Sequence, residues 1–228
     1  RDFIVNQQFR RDYWVRGLRK LNRLEQTEAL RSIKIMLITP KDDVSLTVTG
    51  ARGEAQMNAP VYASILEALA DYQPKSIGQI EEVVKGLGIT LSQIIEATMV
   101  LTGTKNFALI QNEDTINQAK ARTDRLNAQL RHNARGSQEV KYLASPVTGS
   151  GVIVSRFEQL FLESIEQGNR EPQNWAQSAW QIISTQGQKL MRDGKTLETP
   201  EENLAELTEK ARTFAEKKLP ILQALKIV

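Results

Sequence analysis

Cysteine is absent from the 228 residues, and histidine occurs once. Without cysteine there is no disulfide framework, no thiolate nucleophile and no cysteine-ligated zinc or iron–sulfur site. The single His132, in "NAQLRHNARG", has no neighbouring ligand or acid–base partner in the sequence and reads as a surface residue. Long apolar runs are missing as well. "IKIMLI" and "GVIV" fall far short of the roughly 20 residues of a membrane-spanning helix. One loop is glycine-rich, "TGSGV" from Thr148 to Val152, but Pro146 precedes it, the β-branched "VIVS" follows, and no P-loop lysine is present. A phosphate site needs a strand before such a loop and a helix N-terminus after it, so a structural turn is the better reading. Asp42 and Asp43 in "TPKDDV" suit a turn in which carboxylates bond the backbone. No catalytic, cofactor-binding or metal-binding residue is assigned, and the chain by itself is not read as an enzyme.

What is present is a globular composition, 40% hydrophobic, with charge unevenly spread. Residues 1–41 hold ten Lys/Arg against four Asp/Glu, residues 120–141 hold six against two, and the remainder is net acidic although the whole is only +3. Fields from such patches act over about 8–10 Å, so the asymmetry points to a partner surface more strongly than net charge does. The bland counterpart is two solvated faces. The chain opens "RDFIVNQQ" with no initiator Met and no signal pattern, which is expected of a piece cut from a longer, cytoplasmic protein.

Periodicity predicts a mainly α fold with small β-sheets. Leu21, Leu24 and Leu30 approach helical spacing too weakly to fix a helix. "IKIMLIT" and "VSLTVTG" alternate as strands joined by "PKDD", with "GEAQM" as a third, which predicts one small antiparallel sheet or hairpin. "APVYASILEALAD" places Tyr62, Ile65, Leu66 and Leu69 on one stripe. "SIGQIEEVVKGLG" opens on the capping box Ser76/Gln79, with Ile77, Ile80, Val84 and Leu87 inward. "TLSQIIEATMVLTG" repeats the device with Thr90/Gln93 and Leu91, Ile94, Ile95 and Leu101. A strand, "FALIQ", closes a winged-helix pattern. Beyond it a thin apolar face of Ile116, Ala119, Leu126 and Leu130 predicts a connecting helix, followed by extended chain. Three further helices are expected: Phe157 to Ile165, a longer one through "NWAQSAWQIISTQGQKLMRDG", and one opening on Thr199/Pro200/Glu202 that Pro220 should end. The expected organisation is a winged-helix-like domain over 1–114 and a second, mostly helical winged-helix-like domain over 115–228.

A winged helix invites a nucleic-acid reading, yet residues 86–104 contain no Lys or Arg. A groove-reading helix without cations forfeits the phosphate attraction that supplies most non-specific affinity. Nucleic-acid binding is therefore the alternative, not the first reading.

The densest cluster is "FRRDYWVRG", Phe9 to Gly17. Its Arg10, Arg11, Asp12, Tyr13, Trp14 and Arg16 form a candidate docking surface. The arginines suit nucleic acid, a membrane surface or an acidic protein face, and equally suit arginine heads lying over Phe9, Tyr13 and Trp14 within one domain. The run "NQQFRRDYWVRG...KIMLITPKDDVSLTVTGARGEAQMNAPVYASILEALAD" resembles the predicted methyltransferase regulatory domain. In bacterial class I S-adenosylmethionine-dependent methyltransferases, protein lysine methyltransferases among them, that domain follows the catalytic one. The matching features are Arg16-Gly17, Pro40, Asp43-Val44, the Gly53-Glu54 turn and the helix from Pro60, covering about the first 110 residues. "LASPVTGSGV" and "LPILQALKIV" resemble the C-terminal winged-helix region of the same enzymes. The resemblance implies a non-catalytic regulatory or substrate-recognition module. Its partners would be its own catalytic domain, which would hold the S-adenosylmethionine, and a protein substrate. This chain carries no cofactor-binding turn between a strand and a helix.

Overall fold

The computed structural model describes residues 14–50 and 53–228. Its organising element is the short strand β1 (Lys34–Leu37), whose three apolar residues are fully buried. Alternation along a strand sends successive side chains to opposite faces. Ile35 and Leu37 accordingly enter one hydrophobic core and Met36 enters another.

Helix α1 (Arg23–Ser32) leads into β1. Its signal is a capping box, Asn22 with Glu25, and not an apolar stripe, since none of its residues is buried. After β1, Pro40 and a short 3₁₀ turn at Lys41–Asp43 carry the chain away, and Thr47–Gly50 (β2) pairs with Gly53–Gln56 (β3) as a separate hairpin. The expected sheet joining β1 to β2 is thus not formed. Helix α2 (Ala59–Ala68) follows, then strand β4 (Lys75–Ser76), helices α3 (Ile77–Val84) and α4 (Leu91–Gly103), and strand β5 (Phe107–Leu109). The sheet order is β4-β1-β5, antiparallel throughout. The three helices and closing strand expected of the winged-helix pattern are present, with an unexpected short strand, β4, between the first two helices, and the central strand of the sheet arrives from upstream, as β1. Pairing β1 between two later strands satisfies the backbone of both its edges, while the two cores cover its two faces.

Ile65, Leu69, Ile80, Ile94, Leu101 and Phe107 close over Ile35 and Leu37. Leu87, expected inside, is 65% exposed because the chain tightens into a 3₁₀ turn after Val84 and leaves the helical stripe.

Helix α5 (Glu113–Ala134) buries Ile116, Asn127, Arg131 and Ala134, while Leu126 lies outside. Asn127 explains the register: its amide donates to Ala144 O at 2.8 Å and accepts from Ala144 N at 2.7 Å, clipping the helix to the hairpin β6 (Tyr142–Ser145) and β7 (Ser150–Ile153). Helices α6 (Arg156–Glu166) and α7 (Pro172–Thr185) pack around Phe161, Trp175 and Phe214. The expected long helix stops at Thr185. Residues 191–196 form a tight hairpin, β8 (Met191–Arg192) with β9 (Lys195–Thr196), across Asp193-Gly194. Both turn residues have positive φ, +50° and +78°, as a two-residue hairpin turn requires.

Helix α8 (Pro200–Thr213) continues through a π-helical turn, Phe214–Lys218, into α9 (Leu219–Ala224). Pro220 starts α9 and does not end α8. The π turn lets Leu219 N bond Phe214 O, five residues back, which shifts the ladder just ahead of the residue that lacks an N–H. Ile221, Leu222, Leu225 and Ile227 then complete the second core.

The two cores meet across β1. Ile38, Ile110 and Tyr72 also pack on the second core, and Gln111 N bonds Val147 O at 2.8 Å. Asp43 pairs with Lys217 at 2.6 Å and Glu113 with Lys226 at 3.4 Å. No helix among the described residues is long and apolar enough to cross a membrane.

Candidate docking surface

Arg10, Arg11, Asp12 and Tyr13 lie outside the described residues. Trp14 and Arg16 do not. They begin an irregular segment that turns at Gly17, whose φ of +70° favours glycine, and runs to the cap of α1. Trp14 is 92% exposed, and Val15, Leu18, Leu21 and Leu24 remain exposed behind it. Arg16, Lys20 and Arg23 stand among them, with no ion pair to another described residue. Arg19 is the exception, paired with Glu25 at 2.6 Å.

A run of large apolar side chains in water, interleaved with cations, is the surface composition that marks an interaction site. The sequence reading found Trp14 and Arg16 but treated Leu21 and Leu24 as a weak helical face. The signal it missed was the Asn22/Glu25 box, which fixes α1 locally and so needs no buried stripe.

Helix α1 is nonetheless held firmly. Arg31 makes a two-pronged contact with Glu81 of α3, Nε to Oε2 at 2.7 Å and Nη2 to Oε1 at 3.0 Å, and a third bond to Glu28 at 2.9 Å. A fork on a carboxylate is strong and directional. These bonds push the Arg31 guanidinium further up, and the bond from Arg31 holds the Glu81 carboxyl below its ordinary value. Gly78 of α3 lies against Arg31, where an added Cβ would make ordinary van der Waals contact with Arg31 Cβ at 3.4 Å. Ile77 N bonds Ile33 O at 3.0 Å beside it. The exposed segment is therefore mounted on an anchored helix.

Half of the second basic stretch is paired within the fold, while Arg122, Arg125 and Lys141 are exposed. Lys120 pairs with Asp124, the buried Arg131 with Glu166 at 2.9 Å and Arg135 with Glu163 at 3.4 Å. The glycine loop is likewise committed. Ser145 Oγ donates to Leu225 O at 2.8 Å and accepts from Val147 N and Thr148 N, while Gly149 N bonds Ser145 O. Those amides close the β6–β7 turn. His132 is exposed, and no group of three or more acidic, His or Cys side chains suited to a metal ion occurs among the described residues.

Over 227 residues, the whole of this chain, the sequence is 37% identical to an uncharacterized protein of Synechocystis sp., and it spans 44% of that protein's length. No family model matches the chain. No solved structure matches it.

Proposed function

We propose that this chain is a non-catalytic docking module, the regulatory or substrate-recognition part of a cytoplasmic S-adenosylmethionine-dependent methyltransferase acting on protein. In this reading the cofactor is bound by a catalytic domain outside the chain. The observation that carries the proposal is the exposed segment from Trp14 to Leu24, where apolar and cationic side chains face solvent on an anchored helix. Such a face gains from being covered, at roughly 25 cal/mol for each Å² of apolar surface removed from water. The methyltransferase part rests on the resemblance of the residues around Arg16-Gly17, Pro40 and Gly53-Glu54. The Synechocystis relative supplies room for further domains, since more than half of its length lies outside the matched region.

Nucleic-acid binding is less well supported. Residues 86–104 offer no cation, and the exposed side chains of α4 include Glu96 and Met99.

The test is to co-express the flanking part of the full-length protein with this chain and measure both complex formation and S-adenosylmethionine binding. Expected are a complex that Trp14→Ser with Leu18→Ser and Leu24→Ser disrupts, and cofactor binding confined to the flanking part. Micromolar binding of S-adenosylmethionine to the isolated chain would overturn the reading.

A further inference from the structure

A cleft of about 460 Å³ lies between the β2–β3 hairpin and helices α2 and α4. It uses none of the residues of the Trp14–Leu24 surface. Val48 and Ala55, directly opposite each other across the hairpin, form one wall, and Val61 and Val100 contribute to the apolar floor.

Several polar groups of this cleft keep free hydrogen-bonding capacity, whereas Gln93 spends its carbonyl oxygen on the Thr90 cap. Tyr62 is only 6% exposed, and its hydroxyl makes no hydrogen bond to another described residue. The ring is largely buried, while the hydroxyl is not among the buried unpaired atoms and so opens to the cleft. Its proton is held more tightly than usual, first by burial and then by the charge of Glu96. Glu96 forms no ion pair with a described residue. Asn58 occupies the N-cap position of α2, yet its side chain does not cap the helix. Gln56 spends its amide NH₂ on Thr47 Oγ1, leaving its carbonyl oxygen.

The one charge among the lining groups is negative, on Glu96, and the amides of Asn58 and Gln93 keep N–H donors beside it. Carboxylate, phenol and two amide carbonyls can accept, and no Lys or Arg lines the cleft among the described residues. An anion is disfavoured, because Glu96 repels it and Pro60 removes one of the N–H donors that the start of α2 would otherwise offer. The Glu96 charge and the Val48, Val61 and Val100 wall favour a donor-rich cation with an apolar stem. Guanidinium fits better than ammonium, since it carries five N–H donors in a planar fork where an ammonium carries three.

We propose that this cleft binds an arginine-bearing peptide segment. The guanidinium would lie against the Glu96 carboxylate, the Tyr62 hydroxyl and the Asn58 carbonyl, and the aliphatic stem along Val48, Val61 and Val100. The site does not rest on the methyltransferase reading, and it holds whether or not the Trp14–Leu24 surface docks a catalytic domain.

The experiment titrates the 228-residue chain with an acetylated, amidated Ala-Ala-Arg-Ala-Ala peptide, its lysine and citrulline counterparts, and free arginine amide. Methyl NMR signals of Val48, Val61 and Val100 report the site. Expected is saturable binding of the arginine peptide that shifts these methyls and weakens roughly tenfold or more in Glu96→Gln, as loss of a charge-assisted pair implies. The citrulline peptide, isosteric and neutral, should not bind. Equal binding of the citrulline peptide, unchanged affinity in Glu96→Gln, or no shift of the cleft methyls at millimolar peptide would each overturn the proposal. Free arginine amide binding as tightly as the peptide would overturn its peptide part. Glu96 is exposed, so its variant should fold. Tyr62→Phe, checked by its melting curve, is the second variant and should also weaken binding.

Discussion

Ile35 and Met36 are consecutive residues of one strand, both fully buried, and their side chains enter different hydrophobic cores. The β4-β1-β5 sheet is therefore a shared wall. Its central strand cannot leave one core without opening the other.

Met36→Ala should destabilise the whole chain by about 2–5 kcal/mol, the usual cost of truncating a large buried side chain. Because β1 ties the cores together, calorimetry should show a single transition at lower temperature. Fluorescence of Trp175, in the second core, should change in step with it. Two separate transitions would show that the halves unfold independently.

Asn127→Leu should be among the more damaging single changes in the second half. Asn127 is fully buried and satisfies both backbone groups of Ala144. Leucine would leave those groups unpaired, at about 1–3 kcal/mol each. Urea denaturation measures the loss, and a midpoint unchanged from the native protein would show that β6 holds without the clip.

Acid stability should depend in part on Glu81. Arg31 lowers its folded-state pKa below 4.5. A depressed carboxylate contributes stability that is fully present above the unfolded value and is lost as pH falls through the folded one. Melting temperature should therefore drop less steeply below about pH 4.5 in Glu81→Gln than in the native chain. Near neutral pH the variant should be the less stable of the two, since it lacks the ion pair. Parallel melting curves of the two proteins across pH 3 to 6 check the sign.

The docking surface predicts a separation of stability from activity. If Arg10, Arg11 and Arg16 all belong to a docking face, changing them together to Ala should leave this chain folded, as substitutions on such a face typically shift stability by no more than about 0.5 kcal/mol each. If the full-length protein is the methyltransferase proposed above and the arginines bridge its domains, the same change should lower its methyl transfer roughly tenfold or more. A destabilised chain with full parental activity per folded molecule would reverse the assignment and make the cluster internal packing.

Local chemistry was legible in the linear sequence. The capping boxes at Ser76/Gln79, Thr90/Gln93 and Thr199/Glu202 form as expected, because each needs only residues three apart. The stripe Tyr62, Ile65, Leu66, Leu69 is buried, since 3.6-residue periodicity declares a face. The Asp193-Gly194 hairpin was legible by the same logic and was overlooked beside the apolar pattern preceding it. Of the proposed docking residues, Trp14 is fully presented to solvent, whereas its neighbours Leu18 and Leu24 carried no mark that distinguished a docking face from a core face.

Tertiary structure decided the rest, and for one reason. Sequence patterns state which residues avoid water but not which partner covers them. Only the assembled fold placed Met36 in a different core from Ile35, brought β1 between strands that follow it, and shifted the π turn ahead of Pro220 so that the helix continues. Only the fold, too, set Glu96, Tyr62 and Asn58 around one cleft, from helices more than twenty residues apart along the chain.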